Sequence, residues 1–303
     1  MVVVNPAFLG HGIWLELAPI DGLQRYAKYK KPLPANPPIT KLVDKFIEAI
    51  TDMKMSSVWL ELFTRSGTID KNNTKATKEL VDGLKAANIN AIPWGYCFGK
   101  NSEKADPSKN DLELAKTLCD KYKLDVFVAD IEPWNKIGDV VDKWKADALE
   151  KLMTGLNAHF GKENIGISSF ANLDKQPKAR EFLVPVAPLV SFCAPQIYWN
   201  KRKPIDWAEK SLKSWRDAGV TTELIATVQS YWELQEGTGT REQMTTKVDQ
   251  FETGFPDSEW AKIVGLNWYH AGGTNDAASG GMTQEMIDSI IAGKLDQKPY
   301  RKP

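Results

Sequence analysis

Short apolar runs rich in Val, Ile, Phe, Tyr and Trp recur along the 303-residue chain. They stand at Gly12–Ala18, Ser56–Phe63, Ile89–Tyr96, Leu124–Glu132, Asn164–Phe170, Val190–Tyr198, Glu223–Tyr231 and Lys262–His270, each too short for a typical helix. Between them apolar residues fall at helical spacing. Leu42, Phe46 and Ile50 follow the first run, Leu80, Leu84 and Ala87 the second, and Leu112, Leu118 and Tyr122 the third. Further amphipathic stretches occupy Val140–Phe160, Ala179–Val184, Trp207–Ala218, Arg241–Phe251 and Met282–Ile291. Strand–helix alternation predicts a parallel sheet, and eight repeats predict that it closes. The expected fold class is α/β, a single (β/α)8 TIM barrel over residues 1–296, with residues 297–303 as a frayed tail or attachment point.

An open, doubly wound sheet would need a glycine-rich phosphate turn after its first strand, and Ala18-Pro19-Ile20-Asp21-Gly22 stands there instead. The proline-rich stretch Lys31–Pro38 predicts an extended loop over the face where barrel strands end. Ile13-Trp14-Leu15-Glu16-Leu17 is echoed by Val58-Trp59-Leu60-Glu61-Leu62 one βα unit later, which marks either duplication or equivalent strand positions.

Composition narrows the partner. With 39 Lys+Arg against 39 Asp+Glu the net charge is 0, so neither nucleic acid nor an anionic membrane surface is expected as partner, and a small or uncharged one is. Three scattered cysteines, Cys97, Cys119 and Cys193, suggest neither a disulfide framework nor a metal cluster and read as buried thiols. The start MVVVNPAFLGHGIWLEL has no basic n-region and no later run reaches transmembrane length. The reading is a soluble chain, cytoplasmic or virion-associated.

In a barrel, chemistry sits at the carboxyl ends of the strands. Those ends are acidic and aromatic here: Glu16, Glu61, Trp94 with Tyr96, Asp130 and Glu132 followed by Trp134, Gln196 and Tyr198, Tyr231, and Trp268. Aromatic faces beside carboxylates suit the CH faces and hydroxyl edges of a sugar. Asp130-x-Glu132 is the strongest signal. Residues two apart on a strand project to the same side about 6.6 Å apart. Like charges that close push their pKa values apart, so one carboxyl stays protonated while the other ionises, as glycosidic cleavage requires. The same residues can instead cap a loop or bind backbone amides. Glu16 and Glu61 can hold sugar hydroxyls, oppose Glu132, or pair with Arg65 as structural ions.

Other chemistries find less support. His11, His159 and His270 do not stand at metal-ligand spacing, no G-x-S-x-G occurs, Ser168-Ser169 has no identifiable His, and Lys100 alone stands near a strand end as a Schiff-base lysine should. No cofactor and no metal site are expected.

The run Leu124-Asp125-Val126-Phe127-Val128-Ala129-Asp130-Ile131-Glu132 resembles the fourth-strand signature D-G-x-D-x-D-x-E of chitinase-like family 18 glycoside hydrolases. Asp125, Asp130 and Glu132 match it. Val126 replaces its glycine and Val128 its middle acid. Gln196-Ile197-Tyr198 is similar to the family's sixth-strand M-x-Y, and Trp268 to its eighth-strand tryptophan. The Asp-x-Glu also resembles family 25 lysozymes, which cleave peptidoglycan. The resemblance implies that Glu132 protonates the leaving oxygen and that Asp130 stabilises the substrate's N-acetyl group or the cationic centre. It implies further that Tyr198 donates to the acetamido oxygen and Trp268 floors the sugar subsite. Trp94, Tyr96, Trp134, Gln196, Tyr231, Glu16 and Glu61 would complete substrate binding.

Three functions follow. The first is a hydrolase of a β-linked, N-acetylated polysaccharide of the peptidoglycan or chitin type, fitting a phage-associated, lysozyme-like enzyme. The second is a barrel that binds glycan without turnover, because the acid at Val128 is missing. The third is a metal-dependent lyase or isomerase using Glu16, Glu61, Asp130 and Glu132 as oxygen ligands.

Overall fold

The computed structural model of the protein describes residues 3–15, 19–64, 67–68, 74–97, 107–133, 146–233, 239–270 and 279–303. The parallel strands are β1 (Gly10–Leu15), β2 (Ser57–Thr64), β3 (Asn90–Cys97), β4 (Phe127–Ile131), β5 (Ile165–Phe170), β6 (Phe192–Ile197), β7 (Glu223–Gln229) and β8 (Gly265–Tyr269). Each pairs with the next, and β1 pairs with both β2 and β8, so the sheet closes. A helix follows every strand: α1 (Ile39–Asp52), α2 (Thr74–Ala86), α3 (Pro107–Tyr122), α4 (Ala146–Phe160), α5 (Pro177–Val186), α6 (Pro204–Asp217), α7 (Arg241–Gly254) and α8 (Gln284–Gly293). This is the expected (β/α)8 barrel. A short helix over Pro19–Gln24, which the apolar spacing does not mark, adds to the first connection.

Strand alternation sorts the side chains into two cores. On β4, Phe127, Ala129 and Ile131 face outward into the layer shared with the helices, while Val128, with Val126 just before the strand, joins the cluster inside the barrel. Both faces are covered, which is why the strand reads as one unbroken apolar run. The helices supply amphipathic stripes: α1 buries Leu42, Val43, Phe46, Ala49 and Ile50. A capping box between Thr240 and Gln243 starts α7, and Thr283 caps α8 by accepting from the Met286 amide.

The amino end of the barrel is plugged. A 3-10 turn, Pro6–Phe8, carries Phe8 against Phe192 at 4.6 Å and Trp59 at 6.2 Å between ring centroids. Gly166 lies on the neighbouring strand because a Cβ there would come within 2.0 Å of the Phe192 ring. The C-terminal segment, expected to fray, docks near this end. The Arg301 amide donates to the Ile263 carbonyl at 2.9 Å, its guanidinium pairs with Glu223 at 3.2 Å, and Tyr300 packs edge-on against Trp260.

The repeated Trp-Leu-Glu pattern is explained by register. Ile13, Trp14 and Leu15 stand directly across from Val58, Trp59 and Leu60, so the echo marks equivalent positions on adjacent strands. Among the described residues no helix is long and apolar enough to cross a membrane.

Candidate active site

The mouth at the carboxyl end of the strands is built on the inward positions. Asp130 follows Val128 by two and so continues the inner row of β4, with Glu132 just beyond the strand end. Asp130 is buried, and the Gln196 amide on β6 donates to its Oδ1 at 2.8 Å. The same Gln196 nitrogen lies 3.1 Å from the Ser168 hydroxyl on β5, so a chain of polar groups crosses three strands beneath the opening. A hydrogen bond to a carboxylate holds it in one orientation and favours its charged form. Glu132 is half-buried and accepts from the Tyr96 hydroxyl of β3 at 3.2 Å. The acidic pair thus stands in two surroundings, one side chain clamped below the rim and the other at it.

Aromatic rings form the opposite wall. Tyr198 stacks on Tyr269 with centroids 5.0 Å apart and an interplanar angle of 26°. Tyr231 meets both edge-on, at 5.6 and 5.7 Å. His270 closes the group at 4.9 Å from Tyr269. Tyr96, Glu132, Tyr198, Tyr231 and Tyr269 are all partly exposed, whereas the strand residues below them are buried. Under this rim lie Trp14, Trp59 and Trp94, with Trp14 at 4.8 Å from each of the others. The Trp94 indole donates to the Trp59 carbonyl at 3.0 Å.

Of the residues singled out in the sequence, Glu132, Tyr198, Tyr96 and Tyr231 stand at the rim and Asp130 is buried just below it. Glu61 is buried two residues beyond Trp59 on the inward row, and the ladder to β3 shifts register between Glu61 and Phe63. That irregularity turns Phe63 outward to stack on Phe127 at 5.9 Å, so the chain leaves the lumen just after Glu61. Gln196 faces Asp130 and works on it. Trp94 is floor, almost wholly buried among the other indoles. Glu16 and Trp134 lie outside the described residues, as do Arg65 and Lys100.

Trp268 is the correction. It is fully buried on the outer face of β8 against Trp199 and Phe251, at 6.4 and 6.0 Å, in the layer shared with the helices. It cannot floor a sugar, and Tyr269, the next residue, points into the mouth. The missed contributors are Tyr269, Ser168 and Trp14. The signal for Tyr269 was parity, since Asn267 and Tyr269 share one face of the strand and Trp268 the other.

Among the described residues no three His, Cys, Asp or Glu side chains gather as metal ligands. The cysteines are buried free thiols; burial pushes Cys193 up to about 12 and, together with the nearby Asp111 and Asp130, lifts Cys97 well above the usual thiol range. None offers a thiolate at neutral pH.

No protein-family model matches the sequence, and no curated protein matches it. Solved structures do share the fold. The spore cortex-lytic enzyme SleL of Bacillus cereus aligns with a TM-score of 0.59 at 9% identity, over 97% of this chain and 76% of that one. The glycoside hydrolase domain of PgaB (BpsB) from Bordetella bronchiseptica aligns at 0.54 and 10% identity, over 97% and 99% of the two chains. A GH18 chitinase from Pseudoalteromonas aurantia aligns at 0.52 and 13% identity, over 94% and 99%. The likeness is one of fold, a TIM barrel of the kind these proteins use.

Proposed function

We propose that the protein hydrolyses a β-linked polysaccharide of N-acetylated sugars, of the peptidoglycan or chitin type. The observation that carries this reading is the asymmetric acidic pair: Asp130 clamped by Gln196 at 2.8 Å inside the barrel, and Glu132 held by Tyr96 at 3.2 Å at its rim. Glu132 is the general acid, because it is the carboxyl within reach of a ligand's bridging oxygen. Asp130, fixed in one orientation, stabilises the developing positive charge or aligns the substrate's acetamido group. Tyr198 directs its hydroxyl at that group, and Tyr269, stacked on Tyr198, takes the platform role that the resemblance gave to Trp268. The names of the structural neighbours, a spore cortex-lytic enzyme, a glycoside hydrolase domain and a chitinase, agree with this reading.

The test is incubation of wild type and Glu132→Gln with purified peptidoglycan and with chitin oligomers, following new reducing ends and product masses. Cleavage by wild type alone supports the hydrolase and names the polymer. A second reading has its own observation: Val128, where the resembling family carries an acid, is apolar and fully buried in the lumen. A barrel that binds glycan without turnover accounts for that residue, and retained oligomer binding with no cleavage by wild type would select it.

A further inference from the structure

Three strands meet under the tyrosine wall at one side chain. Gln229 ends β7 on the inward row that starts with Ile225, and it is wholly buried. By register it stands directly across from Tyr269 on β8, and the Ser230 amide after it donates to the Tyr269 carbonyl at 2.6 Å. Its own amide bridges the other two connections. The backbone amide of Asn200, two residues past Tyr198, donates to Gln229 Oε1 at 2.9 Å, and Gln229 Nε2 donates to the Tyr231 carbonyl at 3.2 Å. One side chain is therefore tied, by bond or by register, to the backbone beside all three rings.

The turn that receives this bond is anchored from the helix layer. The Arg202 amide donates to the Trp199 carbonyl at 2.7 Å, and Asn200 takes a φ of 48°, a left-handed conformation that asparagine adopts more readily than most residues. From α7, the Lys247 ammonium donates to the Asn200 carbonyl and the Met244 sulfur accepts from the Trp199 indole at 3.0 Å. Gln229 joins this held turn to the end of β7. Its chemistry is specific, because the bridge needs an acceptor at one end and a donor at the other. An amide of this length supplies both, an ionised carboxylate supplies the acceptor alone, and leucine supplies neither.

We propose that Gln229 is the positioning residue of the glycan-binding wall: its amide presets Tyr198 and Tyr231 edge to face at 5.6 Å around Tyr269, so that a sugar ring meets a finished platform. The inference rests on the reading of the mouth as a glycan-cleaving site and divides the labour within it. Gln196 orients a carboxylate, and Gln229 orients the rings. A preset platform spares the ligand the cost of ordering two connections as it binds. Stacking on such rings favours the bound substrate and the transition state alike. Loss of the bridge therefore shows in Kd and KM, with kcat left in place.

The test measures binding of tetra-N-acetylchitotetraose and of a soluble peptidoglycan tetrasaccharide by calorimetry in the Glu132→Gln background, where the ligand is not consumed. KM and kcat are measured without that change. Gln229→Leu should raise Kd and KM about tenfold for the glycan that binds and change kcat by less than about threefold. Exchange of the Asn200 backbone amide, followed by NMR, should quicken about tenfold in the same variant. Gln229→Glu keeps the acceptor for Asn200 and, when ionised, loses the donor to Tyr231. Its affinity should fall below that of the unchanged protein at about pH 8 and return toward it at lower pH, as the carboxyl gains a proton to donate. Leu183→Ala, in the helix layer, controls for lost stability and should leave Kd and KM in place. Gln229→Leu binding as tightly as the unchanged protein, or losing kcat at constant KM, overturns the positioning role, and cleavage in the same assay leaves the hydrolase standing. Binding without cleavage, weakened by Gln229→Leu, sinks the hydrolase and leaves the preset wall. Neither binding nor cleavage of either glycan overturns both.

Discussion

At the amino end of the barrel Phe8 and Phe192 meet at 4.6 Å and fill the lumen, with the Trp59 ring 5.8 Å from Phe192. At the carboxyl end the equivalent inward positions carry Tyr96, Asp130, Gln196, Tyr198 and Tyr269, polar groups and ring edges at a partly exposed rim. One strand shows the contrast within a few residues: β6 begins with buried Phe192, continues through Ala194, and ends in Gln196 with Tyr198 just beyond. The lower half contributes stability by excluding water. The upper half gives up that packing to hold polar groups at a solvent boundary, where Tyr96 donates to Glu132 and Gln196 to Asp130. Substitutions at the two ends should therefore fail differently.

The largest separation is expected from Glu132→Gln. Removing the proton donor should lower turnover of the cleaved polymer by about 10²–10⁴-fold, with a melting temperature within a degree or two of wild type. Reducing-end assays and thermal unfolding on the same sample check it. A Glu132→Gln protein with full activity would move the acid elsewhere. The opposite pattern is expected from Phe192→Ala, which empties the plug and should cost about 3–5 kcal/mol of stability. Activity at low temperature should survive. If urea unfolding shows no loss, the floor is not the stabilising half.

Gln196→Leu probes the boundary between the halves. It keeps the volume and removes the donor to Asp130, a hydrogen bond to a charged group worth about 1.5–3 kcal/mol. Turnover should drop roughly ten- to a hundredfold at unchanged KM if that orientation matters chiefly in the transition state. A stability loss with no kinetic change would make Gln196 an ordinary packing residue.

How far the sequence shows this division is instructive. Strand and helix alternation was legible because each strand is short and each helix keeps a polar face. All eight strands and the helices between them fall where the runs of Val, Ile and aromatic residues place them. Facing was not legible, because barrel strands are covered on both sides and their apolar runs carry no alternation. Hence Trp268, the larger and more sugar-like platform, stood out over Tyr269, though only the latter reaches the mouth. Asp130-x-Glu132 was visible through its spacing, but the Gln196 clamp joins residues 66 apart in sequence and needs closure of the barrel to exist. The docked C-terminal segment was invisible for a similar reason: Lys298, Tyr300 and Arg301 look like a polar tail until Trp260, Glu252 and Glu223 are seen facing them.

That segment supplies the smallest and most specific expectation. Glu252 on α7 is almost fully buried, and neither carboxyl oxygen has a hydrogen-bond partner among the described residues. Burial pushes its carboxyl from 4.5 up to about 8, with Lys298 opposing the rise and Asp249 adding to it. The buried Tyr300 hydroxyl, raised by burial and by Glu252, faces the same space. The folded pKa lies above the unfolded one, so the folded state binds the proton more tightly. The stability this contributes is fully present below about 4.5, drains as pH rises, and is gone above about 8. His11 on β1 has the opposite sign: burial lowers it from 6.5 to about 4, so its contribution is present above 6.5 and lost as pH falls through that window. Wild type should therefore melt at a lower temperature at pH 8.5 than at pH 6.5, where the His11 contribution is constant and the Glu252 contribution is not. Glu252→Gln should flatten that alkaline fall without changing turnover, since the residue lies outside the mouth. Parallel melting curves for the two proteins across this range would mean that Glu252 carries its charge in the folded state, with the C-terminal segment closing over an ion in place of a neutral acid.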